Sequence, residues 1–113
     1  MTTEEVLNHH LEAFSEGSAD KVMEDFTDES VLIIPEATLT GKEIIHGAFT
    51  EFFDSIFKPG TYEFTMDRVE ISGDIAYIVW HATTSAGEVK MGTDTLYVKD
   101  GKIAVQTFAM YVE

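Results

Sequence analysis

The hydrophobic pattern changes period once, at Pro59-Gly60, and that switch commits the chain to both helices and strands. Before it, apolar residues recur at helical spacing. Thr2 and Glu5 have the spacing of a capping box, which opens a helix running to about Glu16. Val6, Leu7, His10, Leu11, Ala13 and Phe14 share one face of that helix, and Glu4, Glu5, Asn8, Glu12, Ser15 and Glu16 the other. Gly17 stops it, and Ser18 caps a short second helix through Val22, Met23 and Phe26. Ser30–Ile34 reads as a buried strand closed by Pro35. Thr40 and Glu43 repeat the capping-box spacing and open a third helix, about Lys42 to Phe57. Its apolar side carries Ile45, Phe49, Phe52, Phe53 and Ile56.

After the switch, alternation takes over. Tyr62, Phe64 and Met66 keep one phase, Val69 and Ile71 the other, so a bulge is expected at Asp67-Arg68. Ile75–Ser85, Glu88–Lys99 and Lys102–Val112 follow as strands, with turns at Ser72-Gly73-Asp74, Ala86-Gly87 and Asp100-Gly101. Helices first and long antiparallel strands second make an α+β fold with helices packed on one sheet face. The other face then needs cover, and a homodimer through that outer face is the economical expectation.

The chain of 113 residues suits one domain spanning 1–113, with no repeats or linkers. The absence of cysteine excludes disulfides, thiolate nucleophiles and cysteine-based zinc sites. A net charge of −14, with Arg68 the only arginine, argues against nucleic acid and anionic membranes as partners. A small neutral organic ligand fits that charge better than an anion. The apolar runs Val31–Ile34 and Ile75–Trp80 are too short to span a bilayer, and the acidic start lacks a signal peptide, so the expected compartment is the cytoplasm.

Asp94 carries the chemistry. It sits in a strand, where aspartate is disfavoured, on the face of Leu96 and Val98. A carboxyl turned into an apolar interior must be paired, hydrogen-bonded or protonated. A hairpin turn at Ala86-Gly87 places Asp94 opposite Val79 and gathers Tyr77, Val79 and His81 on its face. A three-residue loop would substitute Ile78 and Trp80. His10 lies in the middle of its helix's apolar face, so a histidine, a carboxyl and aromatic rings meet in one hollow. His9 is expected at the solvated edge of the same helix, His46 at the surface, and Glu36 at a pocket rim. No motif implies a metal or a cofactor.

The order of elements, most specifically Phe14 to Val31 and Thr93 to Ile103, resembles the SnoaL-like and ketosteroid-isomerase-like proteins of the nuclear transport factor 2-like superfamily. The resemblance spans essentially the whole chain. It implies a cone-shaped barrel, cystatin-like, in which a strongly bent, mostly antiparallel sheet carries three helices on its concave face around a pocket. By position, Asp94 matches the aspartic acid that ketosteroid isomerase keeps neutral in an apolar site so that it can donate a hydrogen bond. His10 falls where that enzyme has a tyrosine, and its general base aligns with Ile34, which cannot take a proton. Gln106, Phe108 and Met110 match pocket-lining positions, Phe49 replaces a supporting tyrosine, and Phe14, Phe53 and Leu96 complete the expected lining. The resemblance implies acid–base catalysis on a small carbonyl compound by Asp94 and His10, of isomerase, cyclase or dehydratase type. The alternatives are a ligand-binding module without catalysis and an interaction protein whose Asp94–His10 contact only satisfies two buried groups.

Overall fold

The computed structural model describes residues 1–113. Helix α1 (Thr3–Glu16) and the short α2 (Ala19–Met23) precede strands β1 (Val31–Ile34) and β2 (Ala37–Thr40). Helix α3 (Lys42–Asp54) leads into β3 (Tyr62–Ser72), β4 (Ile75–Thr84), β5 (Gly87–Lys99) and β6 (Lys102–Val112). The six strands form one bent sheet in the order β2-β1-β6-β5-β4-β3, and β1 against β6 is its parallel pair. The helices cover the concave face, and 21 buried apolar residues make one core between the layers.

Helix α1 forms as its local chemistry dictates. The Thr2 hydroxyl accepts from the Glu5 amide at 3.1 Å and the Glu5 carboxylate accepts from the Thr2 amide at 2.8 Å. Gly17 ends the helix at φ 70°, and a Cβ there would lie 2.5 Å from the Pro59 ring, so two independent constraints demand glycine. The buried stripe Val6, Leu7, His10, Ala13 and Phe14 faces the sheet. Phe14 is the hub of an aromatic cluster, with ring centroids 5.0 Å from Phe53, 5.1 Å from Phe57 and 5.2 Å from Phe64.

Two expectations around α3 fail. Thr40 does not cap the helix: it ends β2, a strand missing from the sequence reading, and Gly41 stands at the N-cap with no side-chain hydrogen bond. Pro35-Glu36 is the turn of the β1–β2 hairpin, pairing Ile34 with Ala37. The helix also stops at Asp54, short of Phe57. The chain closes there on a wider turn, Phe57 N–H to Phe52 C=O at 2.9 Å, which drops Phe57 into the core with no exposed surface.

The β3 bulge falls where the phase slip put it, between Met66 and Arg68. The β4–β5 hairpin departs from expectation. Its two-residue turn is Ser85-Ala86, and a second bulge sets Lys90 and Met91 of β5 against the single residue His81 of β4. Asp94 therefore pairs with Ile78, not Val79. The inward set on β4 is Ala76, Ile78, Trp80 and Ala82, all buried, which is the face the sequence reading had assigned to the outside.

Candidate functional site

Four strands and two helices converge on Asp94. The β5 bulge returns Gly92, Asp94, Leu96 and Val98 to the concave side. On β6, Gln106 pairs with Leu96 and Phe108 with Asp94. Trp80 on β4 lies across Gly92, where a Cβ would come within 2.2 Å of the indole, so only glycine lets the ring lie flat over that strand. The indole Nε1–H then donates to Asp94 Oδ1 at 2.8 Å, and Gln106 Nε2–H donates to Asp94 Oδ2 at 2.8 Å. Gln106 Nε2 also lies 3.3 Å from Nε2 of His10, which α1 delivers from the other layer.

These contacts fix protons as well as positions. Trp80 can only donate, so Asp94 Oδ1 must accept. An ionised Asp94 turns the amide nitrogen of Gln106 towards it, and the second amide hydrogen points at His10. His10 Nε2 is then the acceptor, and its proton resides on Nδ1. Burial pushes the Asp94 carboxyl up to about 6 against the opposing hydrogen bonds of Trp80 and Gln106. Burial, with His9 nearby, pushes His10 down to about 4. At neutral pH the pair is a carboxylate and an uncharged imidazole. Two buried polar atoms have no protein partner, His10 Nδ1 and Gln106 Oε1.

The space beside them is small and apolar. Phe14 and Phe49 from the helices, Phe64 and Met66 from β3, and Ile78 and Phe108 join the polar trio in walling a cavity of about 30 Å³. That volume holds one or two water molecules. Outside it, on the far side of Phe108, a groove of about 230 Å³ runs between Ile34, Glu36, Phe52 and Met110. The ring of Phe108 is a wall of both spaces and packs on Phe52 at 5.3 Å between centroids.

Of the residues expected around Asp94, His10, Phe14, Phe49, Gln106 and Phe108 line the inner cavity, while Ile34, Glu36 and Met110 line the outer groove. Phe53 and Leu96 belong to the packed core and reach neither space. Tyr77, Val79 and His81 lie on the opposite sheet face, because the second bulge shifts the β4–β5 register by one residue. His81 pairs there with Asp67 at 2.8 Å, and Tyr77 underlies Arg68 at 5.5 Å. His9, expected in solvent, is instead half-buried against Asp25 at 2.6 Å, where burial raises the Asp25 carboxyl. His46 pairs at the surface with Asp20. Sequence reasoning missed Leu11, Phe64 and Met66, and it offered Ile78 and Trp80 only as the alternative set of a three-residue loop, whereas a two-residue turn with a bulge brings them in. Trp80 could have been found: a lone tryptophan in an apolar strand needs an acceptor for its N–H, and Asp94 was the nearest unpaired one.

A bent sheet with three helices on its concave face is the nuclear transport factor 2-like fold. The family model for the SnoaL-like domain matches residues 7–106, and the chain belongs to that family. No curated protein matches the chain in sequence. Among solved structures, it is similar to a candidate ketosteroid isomerase from Kribbella flavida, at 16% identity and TM-score 0.79 over 96% of this chain and 77% of the other. A candidate polyketide cyclase from Sinorhizobium meliloti aligns at 20% identity and TM-score 0.78, covering 92% and 93% of the two chains. A protein with a ketosteroid isomerase-like fold from Catenulispora acidiphila, in complex with trimethylamine, aligns at 17% identity and TM-score 0.73 over 92% of this chain and 83% of its own. At these identities the likeness is one of fold.

Proposed function

We propose that the chain is a small-molecule acid–base enzyme that enolises a small neutral carbonyl compound. Asp94 is the base and His10 the hydrogen-bond donor. The observation that carries this reading is the buried chain of contacts from Trp80 through Asp94 and Gln106 to His10. His10 Nε2 is occupied by Gln106, so its lone pair is not free to take a proton, and the unpartnered Nδ1–H is left to donate. Asp94, with a carboxyl at about 6, is ionised at neutral pH yet basic enough to accept a proton from carbon. Asp94 thus takes the reverse of the donor role that the ketosteroid isomerase resemblance implies for it. In the reaction the α C–H bond breaks, its proton passes to Asp94, and the electron pair moves onto the carbonyl oxygen under the His10 Nδ1–H. Return of the proton to carbon completes an isomerisation or an exchange. A neutral imidazole as electrophile is chemically sound when burial keeps it uncharged.

The test is α-proton exchange of small ketones in heavy water, followed by NMR. Wild type is expected to exceed Asp94→Asn by roughly a hundredfold or more. Equal rates in the two proteins would sink the proposal. A second reading, binding without catalysis, draws on the small cavity. The Catenulispora neighbour holds trimethylamine, a ligand of few atoms, and this cavity is built on a similarly small scale. Under either reading we place the protein in the cytoplasm as a homodimer. Ile33, Ile75 and Tyr97 are exposed apolar residues on the outer sheet face, which supports pairing there. No helix is long and apolar enough to cross a membrane.

A further inference from the structure

We infer that the outer groove is a binding site in its own right, independent of the chemistry at Asp94, and that it takes a primary alkylammonium, an organic cation with an apolar tail. The groove past Phe108, of about 230 Å³, adjoins a wider hollow of about 450 Å³ against α3, and the two share Ile34, Glu36, Phe52 and Met110 as walls. Spaces of that size, mostly apolar with a few polar groups, suit a small organic molecule. The polar side chains on these walls are Glu36, Glu51 and Ser55, and all three line the wider hollow. Neither carboxylate has a cationic partner in the fold. The Ser55 hydroxyl donates to the Glu51 carbonyl at 2.8 Å, so only its lone pairs remain to offer. Helix α3 adds to the same polarity. Its last turn, where unpaired carbonyls carry partial negative charge, contains Glu51 and no basic residue. Lys58, the next lysine along the chain, lines neither space. A ketone finds no side-chain donor here, and an alcohol has one hydrogen to give. A primary ammonium has three, one for each of Glu36, Glu51 and Ser55.

The tail follows from where the charges stop. The narrower arm is walled by Pro35, Phe108, Ala109 and Val112 beside the shared residues, and Glu36, on the boundary, is its one polar side chain. A head held in the α3 hollow therefore sends its tail across Phe52 and Met110 towards Phe108. The tail stays outside the inner cavity, because the Phe108 ring walls it off. Burial of methylenes along that arm supplies affinity that a bare ammonium lacks.

The full chain is titrated with hexylammonium, methylammonium, 1-hexanol and hexanoate, and amide shifts are followed residue by residue by NMR. Salt at about 150 mM screens diffuse attraction to the net charge of −14. Hexylammonium is expected to saturate, with shifts concentrated on Glu36, Glu51, Phe52 and Met110. Two exposed carboxylates favour it over 1-hexanol by about fivefold or more. Its tail favours it over methylammonium by at least about tenfold, and hexanoate should not bind. Glu36→Gln combined with Glu51→Gln should bring hexylammonium down to the level of 1-hexanol. 1-Hexanol matching hexylammonium in wild type overturns the charge assignment, whether or not the variant folds. Methylammonium matching hexylammonium overturns the tail assignment. Shifts spread over the whole acidic surface, or no saturable shift at all, overturn the site. None of these outcomes bears on α-proton exchange, so this inference and the acid–base reading stand or fall separately.

Discussion

Replacing Asp94 with asparagine should change the shape of the stability–pH curve, and the change follows from two buried groups that oppose each other. Asp94 titrates at about 6 in the folded chain and at its ordinary 3.8 when unfolded. A carboxyl raised by folding contributes stability that is complete below 3.8 and is lost as pH rises through about 6. The gap, at about 1.4 kcal/mol per pH unit, is worth about 3 kcal/mol. His10 runs the other way. Its ring titrates at about 4 when folded and at 6.5 when unfolded, so its contribution is complete above 6.5 and is lost as pH falls towards 4, again by about 3 kcal/mol. In the wild-type chain the two slopes cancel to within about 1 kcal/mol across this window. Asp94→Asn removes one of them. Relative to wild type, the variant's unfolding free energy should climb by about 3 kcal/mol between pH 4 and 6.5, while His10→Leu should show a fall of similar size. Urea unfolding at half-unit pH steps reads both curves. Other groups perturbed by folding, such as the Asp25 carboxyl, contribute alike to variant and parent and drop out of the difference. Parallel curves for wild type and Asp94→Asn would refute the raised carboxyl and, with it, the description of Asp94 as a base.

Three further outcomes are expected. Gly92→Ala drives a Cβ into the Trp80 indole and should cost about 2 kcal/mol or more, with a shifted tryptophan emission as Nε1 leaves Asp94; an unchanged spectrum would contradict the flat packing of that ring. His81→Ala breaks a half-exposed pair with Asp67 on the outer face, so α-proton exchange should be untouched and urea stability should move by no more than about 0.5 kcal/mol; a loss of exchange would return His81 to the site. Tyr97→Glu puts a charge into the outer apolar face, and sedimentation should show dimer giving way to monomer; a wild-type chain that sediments as a monomer would dismiss that interface.

Much of this fold is written locally. Thr2 with Glu5, Gly17 with Ser18, and the phase slip at Asp67 each rest on chemistry within a few residues, and each is found where the pattern put it. The failures share a cause, since each needed a partner distant in sequence. Ala37–Thr40 carries little strand signal of its own and exists because β1 is there to pair with it. Its last residue sits three positions before Glu43, and that accidental spacing imitated a capping box. Asp94 and His10 were legible as misfits, a carboxyl in a strand and an imidazole on an apolar stripe. The residue that couples them, Gln106, came from resemblance, because nothing in its own neighbourhood marks a glutamine as a bridge.

Lys90 and Met91, the two residues of β5 that face one residue of β4, make the chemistry of this chain depend on a count. Remove either, and every side chain beyond trades sides: Thr93 and Thr95 enter the interior and Asp94 leaves it. The edited protein would keep each residue discussed above and lose the site they compose. Substitution can tune such a site by degrees, but a lost codon here is all or nothing. In the lineage of this protein, that pair of positions should therefore wander in identity and hold fast in number.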